Sequence, residues 1–99
     1  MSDNVTIIRE LTPTKGRYVG RVPQVAEEAE LTFSRTSPIL IIADHTFVPD
    51  GMRGMGVAKA LVERLILDAR SEGFKIIPLC PYVRSQYLRH PEWSDVMQS

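Results

Sequence analysis

The first half of the chain is written in strand-length apolar runs, the second half in a helical stripe. NVTIIREL (4–11) is a short β-type run closed by the turn-prone TPTKG. RYVGRV (17–22) predicts a second, weaker strand, broken at Pro23. In AEEAELTFSR the acidic start is ambiguous, but Ala29, Leu31 and Phe33 then alternate with Glu30, Thr32 and Ser34, which predicts a half-buried strand. ILIIADHTFV (39–48) is nearly all apolar until Asp44 and reads as a central strand buried on both faces. The short, turn-like links between these runs predict antiparallel pairing.

From Val57 the period changes. Val57, Leu61, Leu65 and Ala69 lie four apart, with Ala58, Val62 and Ile66 as a parallel row, while Glu63, Arg64, Asp68 and Arg70 fall largely on the other side. Gly73 supplies the helix stop. FKIIPLC (74–80) follows as one more buried strand, and the connection from Ile39 to Cys80 is long enough for a βαβ crossover, which makes the fourth and fifth strands parallel. PYVRSQYLRH (81–90) predicts a short closing helix with Pro81 in its first turn, and Trp93 of the tail is expected to pack back. No repeat or linker interrupts the pattern, so residues 1–99 read as one domain.

Composition narrows the class. Twelve Lys and Arg balance twelve Asp and Glu, which leaves no basic field for generic nucleic-acid binding. No apolar run approaches the ~20 residues of a membrane span, and MSDNVTIIRELTP lacks the basic leader and apolar core of a signal peptide, so no membrane partner and a cytoplasmic location are expected. One cysteine and two histidines form neither an internal disulfide nor a structural zinc pattern, and no metal is expected.

The densest chemical signal is the loop that opens the long helix. Gly51, Gly54 and Gly56 crowd a stretch where positive φ and bare backbone come free, against the unpaired amides of a helix N-terminus. A phosphate would fit there. The loop is not a Walker A motif, because Gly56 is followed by Val57-Ala58-Lys59-Ala60 and not by Lys-Ser/Thr, and it is not a Rossmann fingerprint, because Lys59 stands where the third glycine belongs. Arg53-Gly54-Met55-Gly56-Val57-Ala58 instead has the form Gln/Arg-x-x-Gly-x-Gly/Ala. This resembles the pyrophosphate loop of the GNAT superfamily of N-acetyltransferases, which bind acetyl-coenzyme A. DHTFVP, GMGVAKALVE, GFKIIPLCP and YLRHPEW together look like a minimal single-domain GNAT-like subgroup of about this length, strongly over residues 39–96 and weakly before them.

The resemblance implies an α/β (α+β) fold: a mixed, mostly antiparallel sheet with strands four and five parallel, one long helix after the glycine loop and a short C-terminal helix. It also implies acetyl-CoA or CoA as cofactor, contacted by Phe47 and Val48 at the end of strand four and by Arg53, Gly54, Met55, Gly56, Val57 and Ala58 of the loop. The acceptor is an unidentified amine, because TPTKG replaces the two helices that help shape the acceptor site in ordinary members. A monomer or weak homodimer is expected.

Three side chains are candidates for the chemistry. His45 has the unperturbed pKa of a general base, against the plainer reading of a histidine bonded to backbone. Asp44 is expected on the opposite face from His45, because strand neighbours alternate, and reads as a solvated or turn-capping carboxylate. Cys80 precedes Pro81 at a helix start, where a dipole favours a thiolate; it reads as an acetyl acceptor, a partner of the leaving sulfur, or a small buried hydrophobe. The resemblance puts Tyr87 where the family keeps its general acid, against an amphipathic core role four residues from Val83. Two functions follow: an acetyl-CoA-dependent acyltransferase acting on an amine, or a non-catalytic acyl-CoA-binding sensor or interaction module.

Overall fold

The computed structural model describes residues 4–98. A five-stranded sheet runs in chain order, β1 (Thr6–Leu11), β2 (Lys15–Arg21), β3 (Ala29–Ser37), β4 (Leu40–Phe47) and β5 (Lys75–Ile77). The first four strands are antiparallel and β5 is parallel to β4, joined through the helix α1 (Val57–Glu72). Helix α2 (Pro81–Arg89) and a 3₁₀ turn (Pro91–Val96) close the chain. The mixed sheet, the parallel pair and the two helices agree with the expected fold.

The core lies on one side of the sheet. Tyr18, Ala29, Leu31, Phe33, Ile41 and Ala43 meet Val57, Leu61, Val62 and Leu65 of α1 and Val83 of α2 in one buried cluster. The opposite, outer face carries Arg17, Glu30, Thr32, Ser34 and His45, all partly or fully exposed. This corrects the expectation for β4, whose residues alternate between buried and accessible from Leu40 to Ala43 because the helices cover only one face. The uninterrupted apolar run hid that alternation: Ile42 is apolar yet only half-buried.

Strand β5 is also shorter than FKIIPLC suggests. It pairs with β4 only over Leu40–Ile42. Pro78 then ends the ladder, since it has no amide to donate. The chain folds back through a bond from the Leu79 amide to the Ile77 carbonyl (2.9 Å), and the Cys80 amide donates to Ala43 (2.8 Å).

Asp68 departs from its expected place on the solvated side of α1. It is 7% exposed and accepts from the Tyr18 hydroxyl at 2.8 Å, with Arg9 at 3.2 Å and Arg64 at 3.1 Å completing a charged cluster. Burial, and then the bond to Asp68, push the Tyr18 phenol well above its ordinary range. Trp93 packs back as expected, 6% exposed and stacked on His90 with ring centroids 4.4 Å apart.

Candidate functional site

The glycine loop forms as a bare anion-type cradle. Gly54 and Gly56 both take left-handed backbone (φ +79° and +72°), and a Cβ built on either would meet no atom within 4 Å. Gly51 does not share this role: its φ is not positive, and its constraint is contact with Val25, 3.3 Å from where a Cβ would stand. Gly56 is the N-cap of α1 and offers no side-chain cap, and the first turn carries no acid. The first intrahelical bond runs from Ala60 to the Gly56 carbonyl (3.0 Å), so the amides of Val57, Ala58 and Lys59 have no partner within the helix. Those amides and the helix dipole favour negative charge.

A cleft of about 480 Å³ opens on this helix start, lined by Val48, Arg53, Gly54, Gly56, Val57 and Ala58 among the expected binding residues. Of the others, Phe47 and Met55 are partly exposed and do not line it. The cleft also takes in Met52, Lys59 and Tyr82, which sequence reasoning missed. Lys59 was legible in principle, as a cation three residues into the helix beside the free amides. Tyr82 was not, because its place depends on how the start of α2 lies against α1. Burial raises the Tyr82 phenol pKa; Arg89 opposes this and Glu63 reinforces it. Arg53 pairs with Asp50 (2.9 Å), both largely exposed, so it stands at the rim as a solvated cation.

Beyond Ile42 no described strand pairs with β4 on its β5 side, while β3 stays paired with it as far as Phe47. This leaves a free edge from Asp44 onward, between β4 and the start of α2. Cys80, the N-cap of α2, is 2% exposed there, with its Sγ 3.3 Å from the Thr46 hydroxyl.

A β-bulge decides which side chains share a face. Ala43 pairs with Phe33 and His45 with Thr32, so Asp44 is the extra residue. Asp44 accepts from the Ser34 hydroxyl at 2.6 Å, and Ser34 and Thr32 both alternate outward from the buried Leu31 and Phe33. Asp44 and His45 therefore lie on the same outer face, contrary to simple alternation, although no hydrogen bond joins their side chains. Thr46 pairs with Leu31 and returns to the core side, beside Cys80. His45 and Cys80 thus flank β4 from opposite faces. Tyr87 packs half-buried against the core cluster, and among the described hydrogen bonds its hydroxyl has none.

Among the described residues no cluster of His, Cys, Asp and Glu could hold a metal, and no helix is long and apolar enough to cross a membrane. Residues 17–96 match the model of a family described as GCN5-related N-acetyl-transferase. The chain is also similar to a GCN5-like protein from Staphylococcus aureus whose structure was solved in solution by NMR. The two are 25% identical, the match covers 98% of this chain and 91% of that one, and the TM-score is 0.65. The matched stretch spans the glycine loop, the β4 bulge and Cys80, and by it the chain belongs to the GCN5-related N-acetyltransferase family.

Proposed function

We propose that the protein is an acetyl-CoA-dependent N-acetyltransferase that binds the cofactor's pyrophosphate on the loop from Arg53 to Ala58 and transfers its acetyl group to an amine. The observation that carries this reading is the pair of left-handed glycines whose Cβ positions are empty, beside the unpartnered amides of α1. When bound, acetyl-CoA supplies a thioester carbonyl open to attack and a thiolate that can leave. The residues do the rest. The loop amides and dipole hold phosphate charge, with Lys59 and Arg53 at the rim adding positive field. The free edge of β4 offers backbone groups to an extended chain, as a sheet edge does. His45 takes the amine's proton on the outer face. Thr46 and Cys80 line the inner side of the same edge, and the buried Cys80 thiol serves there as a small polar contact and not as the nucleophile. On the family resemblance we assign Tyr87 as the acid for the departing thiolate; Tyr82 lines the cleft itself. We infer a single domain that acts in the cytoplasm as a monomer or weak homodimer.

One observation favours the second reading, an acyl-CoA-binding module without turnover. His45 and Cys80 lie on opposite faces of β4, so the candidate groups do not converge. A thermal-shift and calorimetric comparison of acetyl-CoA, CoA, ATP, NADH and phosphate tests the shared premise. Selective stabilisation by the CoA forms is expected, about 2.7 kcal/mol at ligand 100-fold above Kd. No response to either CoA form would overturn both readings. Binding without acetylation of any amine would leave the module.

A further inference from the structure

The core is left open at the end of α1 away from the glycine loop. The helix stops at Glu72, where Gly73 takes left-handed backbone and turns the chain away. Past that point a cavity of about 120 Å³ remains against the inner side of the sheet, walled by Leu11, Phe33, Ile41 and Phe74. Two arginines also line it, and their charges are met differently. Arg9 is neutralised, 3.2 Å from Asp68 and 2.8 Å from Glu72. Arg35 is not. Leu31 and Phe33 face the core, and the same alternation brings Arg35 to that side, opposite the buried Ile41. Its half-buried side chain donates from Nη1 to the Thr12 carbonyl at 2.8 Å. Among the described residues no carboxylate oxygen comes within 4.0 Å of it. A guanidinium has five N–H donors, so one neutral acceptor leaves most of them, and the whole charge, uncommitted. Apolar walls beside such a cation exclude part of the water that would screen it, which strengthens its attraction for an anion.

We propose that this cavity binds a small monocarboxylate with an apolar body, its carboxylate on the Arg35 guanidinium and its body against Phe33, Ile41 and Phe74. Size sets the body. A cavity of about 150 Å³ takes a benzene ring, so this one suits a single ring or a branched chain of similar bulk. The guanidinium sets the head group, because its planar fork matches a carboxylate through two parallel N–H···O bonds that a neutral amide cannot reproduce. Glu72 at the rim, itself held by Arg9, sets the total charge: it disfavours a ligand with a second negative group. The site stands apart from the acetyltransferase reading. It lies at the opposite end of the 16-residue helix from Gly56, about 24 Å along the axis, and no bond is made or broken in it.

The test follows amide shifts of the intact protein by NMR during titration with benzoate, benzamide, benzylamine or acetate. Benzoate should move the amides of residues 33–37, 41 and 72–74 saturably, with Kd of about 1–10 mM. Benzamide has the shape without the charge and acetate the charge without the ring, and each should bind at least about tenfold more weakly. Benzylamine should not bind there. Arg35→Gln should weaken benzoate at least about tenfold, and Arg35→Lys, which keeps the charge but not the fork, should fall between Arg35→Gln and wild type. Equal binding of benzoate by Arg35→Gln, or of benzamide or acetate by wild type, would overturn the proposal. So would the absence of saturation, or benzoate shifts centred on the helix start at residues 53–59. Should Arg35→Gln fail to fold, the comparison of benzoate with benzamide on the wild-type chain decides the same question.

Discussion

Helix α1 carries its own control experiment. Gly56 at its start and Gly73 at its end both have left-handed backbone, φ +72° and +80°, and both have open space where a Cβ would stand. An L-alanine in this conformation costs about 1–2 kcal/mol, because its Cβ crowds the following carbonyl. Neither site adds a clash, so Gly56→Ala and Gly73→Ala should be destabilised alike. In a domain of this size that amounts to a drop in Tm of roughly 4–16 °C. The ligand should tell them apart. A methyl at Gly56 fills the cradle beside the free amides of Val57, Ala58 and Lys59, whereas Gly73 lies at the far end of a 16-residue helix, about 24 Å away along its axis. With acetyl-CoA at 100-fold over its wild-type Kd, Gly73→Ala should keep the full stabilisation of about 2.7 kcal/mol, and Gly56→Ala should lose most of it.

Asparagine separates strain from obstruction. It tolerates left-handed backbone better than alanine, so Gly56→Asn and Gly73→Asn should regain part of the lost stability. Only Gly56→Asn should remain blind to acetyl-CoA. Differential scanning fluorimetry and isothermal calorimetry on the four variants decide the matter. Wild-type affinity in Gly56→Asn would refute the cradle and reduce the loop to a turn. Equal loss of affinity in the Gly73 variants would assign the effect to helix stability.

The remaining expectations concern the core and the reacting groups. Tyr18→Phe removes a buried hydroxyl together with its bond and should cost about 1 kcal/mol, while Asp68→Ala strands that hydroxyl and the two arginines and should cost about 1–3 kcal/mol or more by urea unfolding. The phenol's pKa is raised on folding, so its stabilisation is present below about pH 10 and is lost as pH rises further, where only the unfolded chain ionises; Tyr18→Phe should flatten that alkaline limb. Cys80→Ser keeps a partner for Thr46 and should retain transfer within about tenfold, with no acetyl adduct on the wild-type chain by intact mass, whereas His45→Gln should lower turnover about 10²-fold or more at unchanged acetyl-CoA affinity. A stable acetyl-Cys80 would reverse those two roles.

Much of the fold could be read from patterns that act locally. Alternation in Ala29–Phe33 marked β3, the four-residue spacing marked α1, and Gly73 marked its end, since these signals depend only on which side of one element is apolar. The form of the glycine loop was legible for a related reason. Its requirements are backbone freedom and free amides, which glycine and a helix start supply without help from distant residues. What escaped depends on partners far away in sequence. Asp68 has the sequence signature of a solvated helix face, and only Tyr18, Arg9 and Arg64 make its burial tolerable. Tyr82 joins the cleft because α2 begins beside α1. Ile42 is apolar enough for a core, yet no helix covers it.

The bulge in β4 is the most consequential of these hidden features. Strict alternation separates Asp44 from His45 and makes the pair irrelevant to each other. One extra residue between the pairings of Phe33 and Thr32 reverses that, and nothing in ADHTF announces it, since a bulge is a relation between two strands. The same insertion also fixes what the site can do. It keeps Thr46 on the core side with Cys80 and sends two titratable side chains together to the open face, just past the point where β5 leaves β4. The described sheet therefore has left-handed glycines and free helix amides toward one side and a carboxylate and an imidazole together on the other. Deleting Asp44 removes the extra residue yet leaves Ala43 opposite Phe33 and His45 opposite Thr32, so His45 should stay on the outer face, and a loss of transfer in that variant would be assigned to the missing carboxylate. The cradle 10 residues further on is built by α1 and its own glycines, and should still bind acetyl-CoA.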